Sequence, residues 1–373
     1  VVAYLSNRHD FGGDVFSRTK GSTKEVIMDF PKCVSFTITN ACNLRCKMCG
    51  QWSEEGYMHN RKARLREEMA LEDWKRLVDE LAAHKVGWVL LRGGEPFLYP
   101  GIIDLLEYIH GQGIFISIDT NGTMLKSHAA ELVRIGDMHL TISVDGPEEI
   151  HDHVRSVKGC FQRLREGIES LHALEKGAEK KISKSICLTI SPYSYRGLGE
   201  LPNVARSLSI ESINIVPYYY VPEDVGKLYE SEMEEHLGCR AYSWRGFHHE
   251  TSGVDGDEFE KQYERYMANL GDIENFPYMV LSIEEYRTWF EDATTQVGPK
   301  RCINVEKLID IQPNGDANFC VDFPDYVMGS VKEATIEELW NDERAQRFRD
   351  YRRKKPLAVC YRCGAKYMSE IGD

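Results

Sequence analysis

Residues 41–50 read Ala41-Cys42-Asn43-Leu44-Arg45-Cys46-Lys47-Met48-Cys49-Gly50. Three thiols fall within eight residues, directly after the apolar run 34–38. A loop with spacers of three and two residues can curl so that its sulfurs converge on one metal centre. A closed structural site takes four protein ligands, whereas three leave a position open for a substrate or cofactor. No fourth cysteine or histidine follows within the next few residues. The stretch reads as an open metal site at the end of a strand.

Outward from that loop, short apolar runs alternate with helix-period segments. The runs fall at 33–39, 88–91, 114–118, 140–144, 186–190 and 213–216. Between them, Leu71, Trp74, Leu77, Val78 and Leu81 recur at three and four residues, as a buried helix face requires. The runs are short, unalternated and rich in β-branched residues, which predicts parallel strands buried on both faces. Six such units give a doubly wound sheet or an incomplete β/α barrel, and in both the ligands bind beyond the carboxyl ends of the strands. The cysteine loop lies at that end of the first strand. From 221 to about 300 the pattern gives way to acidic, aromatic sequence with helical pieces at 223–237, 257–270 and 283–292. From 301 a strand–turn–strand signal centres on Asn314-Gly315, with Cys320 expected on the second strand. Thr335 and Glu338 form a capping box for a helix expected to run through Trp340 to Phe348.

The chain has 373 residues, enough for one large α/β body and a smaller appendage. Its net charge of −13 disfavours nucleic acid and anionic lipid as partners. The first twenty residues lack a basic flank and apolar core, so no export signal is expected, and no apolar run reaches membrane-spanning length. Eleven cysteines in tight groups read as metal ligands in a reducing compartment, which predicts a cytoplasmic protein.

The triplet Cys42, Cys46 and Cys49 resembles the signature of the radical S-adenosylmethionine (SAM) enzymes. That resemblance implies a 4Fe-4S cluster on these cysteines with SAM on the open iron. One departure is Met48, where the family usually has an aromatic residue near the adenine. Gly93, Gly94, Glu95 and Pro96 resemble the family segment that holds the methionine amino group. The strand ends carrying Asn121, and Ser143 with Asp145, resemble segments that contact SAM. Residues 151–155 with Gly159 and Phe161 follow the family pattern, which implies a SAM-carboxylate role for Arg155. The strand end at 216–218 is implied to lie by the adenine.

The tail is the second signal. Cys302 and Cys320 flank seventeen residues, and Cys360-Tyr361-Arg362-Cys363 closes the set. Four such cysteines resemble the Twitch domain, the shortened relative of the SPASM domain, which implies one auxiliary 4Fe-4S cluster; a zinc ribbon is the alternative. Cys33, Cys160 and Cys187 read as ordinary core thiols. Cys239 is a candidate hydrogen donor to a substrate radical.

The expected organisation is an N-terminal extension over 1–30, a partial (β/α)6 barrel over 31–220, a substrate-covering segment over 221–300, and a small α+β iron–sulfur domain over 301–373. The family reading implies two 4Fe-4S clusters, SAM, and an electron donor such as flavodoxin or ferredoxin. A deoxyadenosyl radical would abstract a substrate hydrogen, and the auxiliary cluster would accept an electron. Dehydrogenation of a sugar- or aminocyclitol-like small molecule is favoured, because no leader-peptide-binding domain is evident. The alternatives are oxidative cross-linking of a peptide, epimerisation or decarboxylation, and a non-catalytic zinc module.

Overall fold

Strand order decides between the two architectures that the sequence allows. In the computed structural model, which describes residues 29–275, 279–298, 302 and 304–367, six parallel strands lie side by side in chain order. They are β1 (Cys33–Thr39), β2 (Trp88–Gly93), β3 (Phe115–Thr120), β4 (Met138–Ser143), β5 (Ser183–Ile190) and β6 (Ser212–Pro217). The order never reverses, so the crossovers wind one way and put all their helices on one face. That is the partial barrel, not the doubly wound sheet. The helices are α1 (Leu71–Ala83), α2 (Ile102–Gly111), α3 (Leu125–Ile135), α4 (Glu148–Arg155), α5 (Cys160–Glu175) and α6 (Leu201–Ser207). The expected extension over 1–30 lies, up to residue 28, outside the described residues.

The strands are buried on both faces, as expected, but one-sided winding gives the two faces different chemistry. In β1, Val34, Phe36 and Ile38 are buried toward the helices, where Phe36 meets Trp74 of α1 at 5.0 Å between ring centroids. The alternate positions Ser35, Thr37 and Thr39 are equally buried but face the barrel interior. Arg92, Asp119 and Thr141 occupy matching interior positions on the next three strands. The lumen is polar because it is a site wall, while the helix side is the hydrophobic core.

Beyond β6 come α7 (Glu223–Glu232), prolonged by a π turn over Met233–Leu237, then α8 (Gly256–Asn269), β7 (Glu274–Asn275) and α9 (Ile283–Glu291). Ser282 and Glu285 cap α9 reciprocally. These match the three helical pieces expected in the middle segment. The tail holds α10 (Asn304–Lys307), β8 (Leu308–Ile311), β9 (Asp316–Asn318), β10 (Gly329–Ser330), α11 (Ile336–Asn341) and α12 (Glu343–Lys354). Gly315 turns the β8–β9 hairpin at φ +93°, as Asn314-Gly315 predicts.

Three tail expectations need correction. β8 pairs in parallel with β1, so the C-terminal hairpin extends the barrel sheet instead of forming a separate one. β9 ends at Asn318, which leaves Cys320 on the loop beyond it. The helix starting at the Thr335 cap stops at Asn341, because the Asp342 carboxylate caps a new helix by accepting from Arg344 N at 2.6 Å and Ala345 N at 3.0 Å. Among the described residues, no helix is long and apolar enough to cross a membrane.

Candidate functional site

The loop after β1 and the segment after β2 are zipped together by backbone bonds. Gly94 N donates to Thr39 O and Glu95 N to Ala41 O, both at 2.8 Å. The approach is too close for side chains: a Cβ on Gly94 would lie 2.2 Å from Ala41 O. Gly93, at φ +154°, would put one 2.4 Å from Thr39 O. The glycines expected to let a ligand approach thus first let β2 approach the cysteine loop.

Cys42, Cys46 and Cys49 are free thiols that sense one another's charge. Burial pushes Cys42 up to about 11 and Cys46 up to about 12. Leu44 N donates toward Cys42 Sγ at 3.5 Å, and Met48 packs half-buried beside the loop. Cys160, expected as a core thiol, is fully buried beneath the loop against Leu44 and Cys46.

The Glu95 side chain turns inward and is fully buried. Its carboxylate accepts from Thr120 Oγ1 at 2.7 Å, Asn121 N at 2.8 Å and Phe97 N at 3.3 Å, while Pro96 opens a buried 3-10 turn. Burial pushes its carboxyl from 4.5 up to about 7, against those hydrogen bonds and the charge of Arg155. The folded chain therefore holds this proton more tightly than the unfolded chain. The contribution is fully present below about 4.5 and is lost as pH rises through about 7. Urea unfolding should show stability falling by about 3 kcal/mol across that window from this group. Glu95→Gln should flatten that part of the slope; an unchanged slope would contradict the assignment.

Asn121 ties β3 to the cysteine loop. Its Nδ2 donates to Asn43 Oδ1 at 2.9 Å, and its Oδ1 accepts from Thr123 N at 2.9 Å. Asp145 and Arg155, expected as separate SAM contacts, form one buried ion pair. Arg155 Nε donates to Asp145 Oδ2 at 2.5 Å and Nη2 to Oδ1 at 3.0 Å, while Nη1 reaches Cys46 Sγ at 3.5 Å. His151 lies against this pair. Burial and the Arg155 charge keep its ring neutral, so Nδ1 accepts from Asp145 N at 3.3 Å. Ser143 is half-buried at the end of β4, in register with Cys187. Cys187 is no core thiol: it sits on the interior face, within reach of Asp119, Arg155 and Asp145. Tyr218 turns away from the strand ends and donates to Ser252 O at 2.5 Å.

The tail cysteines form the second group. Cys320 senses Cys360, Cys302 and Cys363. Cys360 and Cys363 lie on a turn, with Cys360 N bonded to Leu357 O at 2.9 Å. Glu232 of α7 holds that turn by accepting from Ala358 N at 2.8 Å. Arg352 of α12 is 7 % exposed and faces all four thiols. Among the described residues no three such ligands are placed to hold a single metal ion; a larger cluster on these four thiols would carry the negative charge that a buried guanidinium requires. Cys239 belongs to neither group. Its surroundings are Asp325, Arg344 and Arg347, beside α12, so the hydrogen-donor role has no support in its placement.

Sequence reasoning missed the residues between the groups. Tyr57 is half-buried, and the charges of Cys49 and Asp322 both act on it. Asp322 accepts from Arg92 Nη2 and from Tyr219 OH, each at 3.0 Å. Tyr219 in turn stands against Gly364, where a Cβ would lie 3.1 Å from its hydroxyl. The available signals were Arg92 preceding the two glycines and Asp322 lying two residues after Cys320.

The family model described as Radical SAM superfamily matches residues 36–187, and that of an iron-sulfur cluster-binding SPASM domain matches residues 302–364. The chain belongs to the radical SAM superfamily. Its cofactors are accordingly SAM, a SAM-binding 4Fe-4S cluster and auxiliary iron–sulfur chemistry in the SPASM domain. This radical SAM chain is 31% identical over 356 residues to the AdoMet-dependent heme synthase of Methanosarcina barkeri, covering 92% of this chain and 94% of that one. It is 22% identical over 370 residues to the subtilosin biosynthesis protein AlbA of Bacillus subtilis, covering 95% and 70%. Its fold resembles Streptococcus suis SuiB bound to precursor peptide SuiA, with a TM-score of 0.62 at 16% identity over 92% of this chain and 71% of that one.

Proposed function

We propose that this radical SAM chain oxidises a carbon centre of a substrate held between its two cysteine groups, with the electron leaving toward the C-terminal group. In this reading Cys42, Cys46 and Cys49 hold the SAM-binding cluster, and Cys302, Cys320, Cys360 and Cys363 hold one auxiliary cluster. When bound, the first cluster and SAM supply a deoxyadenosyl radical that removes a substrate hydrogen atom. The single observation that supports the reading is Asp322, two residues beyond Cys320, whose carboxylate accepts from Nη2 of Arg92, the residue before Gly93 and Gly94, at 3.0 Å.

The chain's own residues act around that contact. Gly93 and Gly94 bring backbone beside the first cysteine loop, and Ser143 faces the lumen at the end of β4. Arg92 and Tyr219 hold the Asp322 carboxylate in place, where it accepts a proton released by the substrate. The covering helices and the tail exclude water, which strengthens every electrostatic contact inside.

The sugar-like substrate expected from the sequence is not carried forward. The relatives named above are, by their names, a heme synthase and a bacteriocin biosynthesis protein. The end-to-end likeness to the heme synthase supports a tetrapyrrole. The likeness to AlbA supports a peptide as the second reading. With the loaded chain, SAM, a reductant and iron coproporphyrin III, formation of 5′-deoxyadenosine should rise by about tenfold or more over the substrate-free rate. A rate that ignores the porphyrin but responds to a cysteine-rich peptide moves the assignment to the second reading. A rate that ignores both overturns the proposal.

A further inference from the structure

Buried Arg155 lies beside the first cysteine group and buried Arg352 beside the second, and the two are compensated differently. Arg155, beside Cys46, is fully paired by the two oxygens of Asp145. That wall of the first site is close to neutral. Arg352 faces Cys360, Cys302, Cys320 and Cys363, and among the described residues no carboxylate forms an ion pair with it. Among the described residues, its one hydrogen bond to protein is from Nη1 to Lys355 O at 2.7 Å.

Neighbouring charges are already committed. On the same helix, Arg353 takes both oxygens of Glu306 at 3.0 Å. Arg349 donates to Val305 O at 2.8 Å and Trp340 O at 2.6 Å. Glu232 is held by Lys355 Nζ at 3.0 Å and Ala358 N at 2.8 Å. A guanidinium left buried without a carboxylate is strongly unfavourable unless an anion supplies the missing charge. Among the described residues, the groups whose negative charge would act on Arg352 are the four sulfurs.

We propose that Arg352 is the counter-ion of the auxiliary iron–sulfur cluster, and that its uncompensated charge raises that cluster's reduction potential relative to the SAM-binding one. This rests on the reading that the four tail cysteines hold a cluster. A cluster on four thiolates is anionic, and reduction adds one more negative charge. A fixed cation in a water-poor site stabilises the reduced form more than the oxidised form. At the first group the Asp145 carboxylate cancels this effect. The difference in charge alone then favours movement of an electron from the substrate toward the tail.

The test is a potentiometric titration of the anaerobically loaded full chain, followed by absorbance and electron paramagnetic resonance, with Arg352→Gln and Arg352→Lys. Arg352→Gln should make reduction of the second cluster about tenfold less favourable, a fall of about 59 mV for one electron. Arg352→Lys should stay near the wild-type value. Loss of the second cluster in the Gln variant but not in the Lys variant also supports the counter-ion role. An unchanged potential in a fully loaded Gln variant overturns it, as does equal loss of iron in both variants, which would mark a packing role. If the wild-type chain loads only about four irons and Cys360→Ser leaves that number unchanged, the cluster reading itself fails.

Discussion

Replacing Cys46 with Ala is expected to remove about half of the iron from the loaded chain and all SAM cleavage. A 4Fe-4S cluster needs its thiolates, and three is already the minimum that keeps one iron open. Cys46 is the most enclosed of the trio, buried against Leu44 and Cys160 and touched by the Arg155 guanidinium. Substituting groups that merely support a metal ligand costs 10- to 100-fold in affinity or activity, so loss of a ligand should exceed about a hundredfold. The tail cluster should remain, leaving about four irons of about eight and a brown protein. Colorimetric iron and a 5′-deoxyadenosine assay on the same sample check this. Retention of all the iron, or of SAM cleavage, would remove Cys46 from the ligand set.

The second large effect belongs to Asp145→Ala. It strips the carboxylate from Arg155 and leaves a guanidinium buried beside Cys46. Breaking a buried pair from one side costs about 3–5 kcal/mol, which a urea titration reads as a lower midpoint. His151 cannot take over, because burial and Arg155 keep its ring neutral. Removing both charges with Asp145→Leu and Arg155→Met should restore most of the stability, since an apolar pair of similar volume is often no worse than a buried ion pair. The double variant still lacks the contact from Arg155 to Cys46, so its SAM cleavage should stay depressed. If Asp145→Ala unfolds at the wild-type midpoint, the pair contributes nothing to the fold.

Two kinds of information in the sequence survived into the structure. The spacing of Cys42, Cys46 and Cys49 placed three thiols on the loop after the first strand, and the four tail cysteines marked a second group. Local periodicity did the same for helices: α1 buries Trp74, Leu77, Val78 and Leu81, the residues its period selects. Capping chemistry placed the start of α11 at Thr335. These features are written within a few residues of chain, so composition and spacing suffice to state them.

What the linear pattern could not state was pairing across distance. Asp145 and Arg155 both read as ligand contacts, yet each is the other's partner. Glu95 read as part of a SAM-binding segment, with no sign in the sequence that its carboxylate closes onto β3. Cys239 read as a radical thiol, yet it lies beside Arg344 and Arg347. A charged group's role depends on which opposite charge folding brings within a few ångströms, and that partner is usually far away in sequence. The sequence by itself determined that this is a cysteine-ligated, SAM-using α/β enzyme with a second thiol group. Only the tertiary structure decided that β8 continues the barrel sheet, that Arg92 and Tyr219 meet at the Asp322 carboxylate, and that among the described residues Arg352 has no carboxylate partner. Ligand spacing is a local property of the chain; compensation of buried charge is a property of the packed molecule.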